Sequence, residues 1–130
     1  MFDPILLAAR WTDMWNRRLD VGDVISSDCQ VHFGRQPIHD RPRTTVGVAQ
    51  LQAVVDGTAE RVPGVVFSFE GAPPHQRAIA GGRAGVITLL WEVNATGLEP
   101  RTGIDLLAHD GDRITTVWSI TGDLRLPPLA

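Results

Sequence analysis

The chain contains no lysine and no tyrosine; all 12 of its lysine-or-arginine residues are arginine. Without lysine there is no side-chain amine to form a Schiff base. Without tyrosine there is no phenol to serve as an acid or as an oxyanion donor. The one cysteine, Cys29, can form no internal disulfide. A lone thiol suits a reducing cytoplasm, and its simplest role is that of a small buried hydrophobe. Excess charge is scarce too: the net charge is -3, and the arginines stand singly apart from Arg17-Arg18 and Arg41/Arg43. No basic field exists to release counterions, so neither nucleic acid nor an acidic membrane is an expected partner. Common metal-ligand spacings, a phosphate loop and a Ser-His-Asp elbow are likewise missing, so the expectation is no metal and no cofactor. Residues 1–19 carry Arg10, Asp13 and Arg17 inside an apolar pattern. That segment therefore reads as neither the core of a signal peptide nor a membrane span.

What is present fits one domain, residues 1–130. With 43% hydrophobic residues, a chain of this length buries about two-thirds of its unfolded surface and needs no staple. Asp3-Pro4 opens a helix, with Asp3 as cap and Pro4 at the first helical position. Leu7, Trp11, Trp15 and Leu19 follow at four-residue steps, one apolar stripe predicted to run to about Arg18. Asp20 to Ser26 reads as a break and a short second helix. Cys29 to Phe33 reads as a strand, and Gly34 to Arg43 as a loop. A second long helix is expected from a Thr44/Thr45 cap to about Arg61, with Val48, Leu51, Gln52 and Val55 inward. Val62-Pro63-Gly64 stops it.

Strand patterns follow: Val65 to Glu70, His75 to Ala80, Arg83 to Asn94, Arg101 to His109 and Arg113 to Thr121, with Asp110-Gly111 as a tight hairpin signal. Residues 123–130 read as a C-terminal tail that docks or frays. Helices first and an antiparallel meander last is an α+β arrangement. One curved sheet would wrap around the helices and leave a cavity between its concave face and the first helix.

Asp105 is the residue that most needs an explanation. It lies in Thr102-Gly-Ile-Asp105-Leu-Leu-Ala108, an apolar strand, and a carboxylate buried there must be paired, protonated or used. Alternation puts Gly103, Asp105, Leu107 and His109 on one face and Ile104, Leu106 and Ala108 on the other. Gly103 leaves room beside the carboxyl on its own face. Two roles remain open: an acid or base serving a ligand, or a structural aspartate paired with an arginine or accepting from Trp15. Trp15 is either a ligand donor, through its indole N–H, or a wall. Ser119 and Thr121 share a face with Val117, whereas Trp118 points the other way. A large aromatic on the outer sheet face predicts a protein contact, most simply a homodimer.

The segments Trp11-Thr-Asp-Met-Trp15-Asn16, Leu19-Asp-Val-Gly-Asp23, Gly103-Ile-Asp105, Asp110-Gly-Asp-Arg113-Ile114 and Trp118-Ser-Ile-Thr-Gly122 resemble the nuclear transport factor two-like superfamily. The nearest look is its SnoaL-like group of ketosteroid isomerases, polyketide cyclases and limonene-epoxide hydrolases. The resemblance spans nearly the whole chain. It implies a cone-shaped, curved, mostly antiparallel sheet around the N-terminal helices, a cystatin-like α+β barrel.

It also implies an acid at Asp105, which matches the strand aspartate of the isomerases' oxyanion hole, an enzyme used as a standard example of an acid kept neutral by an apolar site. Trp15 stands near their catalytic tyrosine, and Phe33 where their base stands. Against the epoxide hydrolases, Gly103 replaces an arginine and Ser119 an aspartate. His32 and His39-Asp40 flank the loop at the cavity mouth, where a replacement base could lie, although alternation turns His32 outward. The expected pocket takes a small apolar ligand, with Asp105 and Trp15 as the catalytic pair. Trp11, Phe33, Leu51, Phe67 or Phe69, Leu107, Val117 and Ser119 would line it. The implied chemistry is a cofactor-independent isomerisation, cyclisation or hydrolysis; the alternative is a non-catalytic binding or dimeric interaction domain.

Overall fold

The apolar stripe of the first segment forms α1 (Pro4–Trp15), burying Leu7, Trp11 and Met14, with Trp15 and Leu19 packed against them. The helix ends before Arg18 because the chain turns left-handed at Arg17, φ 61°. The Arg18 N–H then reaches back to the Asp13 carbonyl at 2.8 Å and the Arg17 N–H to Met14 at 3.0 Å. This is the pairing that closes a helix C-terminus, here built on arginine where glycine is usual. The computed structural model describes residues 3–34, 42–69, 75–78 and 84–127 and, for residues 4, 5 and 75–78, the backbone alone. His39-Asp40 and the expected turns at Gly71–Pro74 and Gly81-Gly82 lie outside the described residues.

The expected second helix is a single 3-10 turn, Val21–Asp23, so β1 (Ile25–Phe33) starts earlier than Cys29. The Thr44/Thr45 cap is corrected as well. Thr44–Val46 is a strand, β2, paired antiparallel with Gln30 to His32. The β-branched run Thr44-Thr45-Val46 suits an edge ladder better than a cap. Helix α2 therefore begins at Gly47 and runs to Arg61. In place of a threonine, Gln50 reaches back and accepts from the Val46 N–H at 2.8 Å. Leu51, Val54 and Val55 are buried on its inner face.

The remaining strands are β3 (Val66–Ser68), β4 (His75–Ala78), β5 (Gly85–Ala95), β6 (Leu98–His109) and β7 (Ile114–Thr121). Strand order is β2-β1-β7-β6-β5, with β3 and β4 pairing different stretches of β5. The β1–β7 pair is parallel and the others are antiparallel. The sheet is curved but does not close, so the expected barrel is a half-open cone. Strict alternation sets its two faces. Ile87, Leu89, Trp91, Asp105, Leu107, Val117 and Ser119 are buried, while Ile104, Leu106, Trp118 and Ile120 are exposed.

The C-terminal tail docks as far as residue 127. The Leu124 carbonyl accepts from the Thr102 N–H at 3.1 Å, and the Leu126 N–H donates to Thr102 Oγ1 at 2.9 Å. Arg125 pairs with Glu92 at 2.5 Å. Cys29 is buried, and burial, with Asp28 nearby, pushes its thiol up to about 12. Among the described residues no helix is long and apolar enough to cross a membrane.

Candidate functional site

Strand β6 carries Asp105 into the concave face between Leu89 on β5 and Ser119 on β7, its direct cross-strand neighbours. The side chain is 3% exposed. Its partner is Trp11, whose Nε1–H donates to Asp105 Oδ2 at 2.9 Å. The expectation of a bond from Trp15 is thereby corrected. Both indoles lie on one helix stripe, but Trp11 sits one turn deeper toward the sheet. Among the described residues, Asp105 Oδ1 is buried without a hydrogen-bond partner, and so is Trp91 Nε1.

Burial pushes the Asp105 carboxyl above the ordinary carboxylate range. The polar atoms of Ser119, Trp11 and Trp91 pull the other way and are outweighed. Of these three, Trp11 alone makes a well-formed hydrogen bond to the carboxyl. Among the described residues no arginine is bonded to the carboxyl. With one indole donor and no countercharge among the described residues, burial favours the protonated form of this acid.

A cavity of about 220 Å³ opens beside this group. Trp11, Trp15, Phe33, Phe67, Asp105 and Ser119 line it, as expected from sequence. Trp15 is a wall: its ring meets Trp11, Phe33 and Phe67 at centroid separations of 6.0, 6.4 and 5.5 Å. Leu51, Leu107 and Val117 were expected in the lining but are fully buried in the core instead, where β1, β7 and α2 pack solidly. Phe69 packs on the core just past the end of β3 and is also absent from the lining.

His32 is turned to the outer face, where its ring stacks on Trp118 at 6.2 Å and meets Thr44 Oγ1 at 3.0 Å. It is no base for this cavity. His109 is buried, and its Nδ1 accepts from the Gly111 N–H at 3.0 Å, bracing the hairpin. Among the described residues no group of three or more His, Cys, Asp or Glu could hold a metal ion.

Several lining residues escaped the sequence reading. Trp91 lies directly across from Gly103, and its indole fills the space a Gly103 side chain would need. Two residues further out on the same face of β6 as Gly103, Arg101 lines the mouth together with Glu99 and Asn94. Asn16 anchors β3: it donates to the Phe67 carbonyl at 2.9 Å and accepts from the Phe67 N–H at 2.8 Å. A signal existed for Trp91, since a bare glycine beside a buried acid leaves space that something bulky on the next strand must fill.

The described lining thus holds three ionisable side chains: Asp105 at the floor, Glu99 and Arg101 at the mouth. No family model matches the chain, and no curated protein matches it in sequence. Solved structures do match in shape. A cystatin-like-fold protein of unknown function from Xanthomonas campestris superposes with a TM-score of 0.60 at 22% identity, over 93% of this chain and 92% of that one. The fold is the cystatin-like fold. A candidate polyketide cyclase from Acidithiobacillus ferrooxidans superposes with a TM-score of 0.59 at 21% identity, over 91% and 87%. A ketosteroid isomerase-like fold from Catenulispora acidiphila, solved with trimethylamine, gives 0.56 at 15% identity, over 87% and 82%. These likenesses show the fold alone and leave the chemistry to the cavity.

Proposed function

We propose that this chain binds a small apolar, ring-bearing ligand and that Asp105 delivers a hydrogen bond or a proton to a ligand oxygen. The observation that carries this is a carboxyl buried at the inner end of an aromatic cavity, with no countercharge among the described residues and one oxygen left unpartnered among them; burial shifts it toward its protonated form. Because the Trp11 N–H occupies Oδ2, the acid's proton belongs on Oδ1. An oxygen brought to the floor gives that atom the partner it lacks, and leaving it unmet costs about 1–3 kcal/mol. Size supports the reading: an engineered cavity of about 150 Å³ holds benzene, so this one suits one or two rings. The reaction class is a cofactor-independent isomerisation, cyclisation or hydrolysis in a cytoplasmic protein, with Trp15 as wall.

The alternative of a non-catalytic binder draws on Phe33. It lines the cavity where the resembling isomerases place their base. Asp105→Asn tests both readings. Lost turnover with retained ligand binding supports catalysis; unchanged binding with no turnover in ketone, epoxide and polyketide-like screens supports the binder. A carboxyl-carbon titration of Asp105 that came out at or below about 3.9 would sink both, because the acid would then be ionised.

The protein partner proposed is a second copy of this chain, docked through the outer face of β6 and β7. Ile104, Leu106, Trp118 and Ile120 are exposed there as neighbouring cross-strand pairs, a contiguous apolar patch.

A further inference from the structure

The Arg101 side chain makes no hydrogen bond and no ion pair among the described residues. Yet it is half-buried and lines the cavity mouth. The carboxylate of Glu92, its neighbour's cross-strand partner, is already taken by Arg125. Glu99, two residues earlier on the same face, is exposed to solvent and does not reach the guanidinium. The Arg101 side chain is partly covered and has no acceptor among the described residues, and its five donors suit a planar carboxylate. Asp105 lies four residues along the same face of β6, roughly 13 Å away by strand geometry. Over Gly103, between them, the Trp91 indole fills the side-chain space and presents an aromatic surface along the way.

We propose that Arg101 is an anion subsite, so that the ligand is a hydrophobic acid: an oxygen at the Asp105 floor, a flat apolar body along Trp91, and a carboxylate at the mouth. This rests on the ligand reading above and names the ligand's class. The cavity's charge pattern agrees with it, because burial disfavours charge on the floor acid and the one cation of the described lining stands at the outer end. The single opposing charge, Glu99, faces bulk water and is screened.

The test uses the whole chain with 6-hydroxy-2-naphthoate and its methyl ester, followed by calorimetry. The acid should bind roughly tenfold tighter than the ester, the scale of a charge-assisted hydrogen-bonded contact. Arg101→Gln should erase that preference, Arg101→Lys should keep part of it, and Glu99→Gln should leave it or enlarge it. Arg101 is unpaired and at the rim, so none of these changes threatens the fold. As an independent readout, the Arg101 Nε–H resonance should move on adding the acid and stay still with the ester. Equal binding of the two probes to the native chain overturns this inference and leaves the ligand reading standing. A preference that survives Arg101→Gln overturns it as well, by placing the anion elsewhere. Failure of both probes to bind overturns the ligand reading, and the inference falls with it.

Discussion

Trp91 and Gly103 are direct cross-strand partners, and the indole of one occupies the side-chain space of the other. A Cβ on Gly103 would come within 2.0 Å of Trp91 Cζ2. The glycine is thus required by its neighbour and not by its own backbone. It lets an indole lie against the sheet beside Asp105, so that the floor is aromatic and nearly dry.

Gly103→Ala should therefore displace the Trp91 ring into the cavity. We expect a stability loss of about 1–3 kcal/mol, the usual cost of overpacking, together with loss of ligand binding. Urea unfolding and probe binding check this. Native-like binding by the alanine variant would mean that the ring has somewhere else to go.

The upward shift of the Asp105 carboxyl has a signature in stability. Its folded value is raised, so the stability it contributes is complete below the unfolded value of about 3.9. That contribution is lost as the pH climbs through the folded value. Between the two, the native chain should lose up to about 1.4 kcal/mol per pH unit relative to Asp105→Asn, which has nothing to ionise there. Urea unfolding of both chains across pH 4 to 7 reads the difference. Parallel curves would show an aspartate that is ionised in the native state.

Arg17 holds a left-handed conformation that costs an ordinary side chain about 1 kcal/mol. Its one ion pair, to Asp56 at 3.3 Å, joins two largely exposed side chains and contributes little. Arg17→Gly should accordingly raise stability by about 0.5–1 kcal/mol, less whatever the freer unfolded chain takes back. Thermal melts measure it, and a destabilised variant would mean that the Asp56 contact matters more than exposed pairs do.

Trp118→Glu puts a charge in the middle of the outer apolar patch while leaving the concave face untouched. Sedimentation should show the native chain as a dimer and the variant as a monomer, with ligand affinity conserved. A native chain that sediments as a monomer would leave the Trp118–His32 stack as surface packing alone.

Much of this architecture was legible in the sequence because period is a strong signal. The four-residue stripe gave α1, and alternation put Asp105 and Ser119 on the cavity face with Trp118 opposite, all as found. What stayed hidden depended on depth or on competition. Trp11 and Trp15 occupy one stripe, and nothing local says which of them reaches the carboxyl. Leu51, Leu107 and Val117 face inward, but facing inward does not separate a cavity wall from solid core. Thr44-Thr45 fits both a cap and an edge strand, and the pairing partner that decides between them lies more than a loop away on β1. Arg101 shows its role only once the sheet has curved to make a mouth.

Asn16 has a consequence for how such a cone could change. Strand β3 is short, and its outward peptide group finds in one carboxamide the two bonds that another strand would have supplied. The last rung of that edge is therefore a side chain, belonging to a helix. An edge made of backbone is redrawn only by inserting or deleting chain, whereas an edge made of a side chain can be redrawn by a single codon. The aromatic rim that Phe67 forms with Trp15 is accordingly the part of the cavity whose shape can drift most cheaply, while the Asp105 floor, built from three paired strands, stays put.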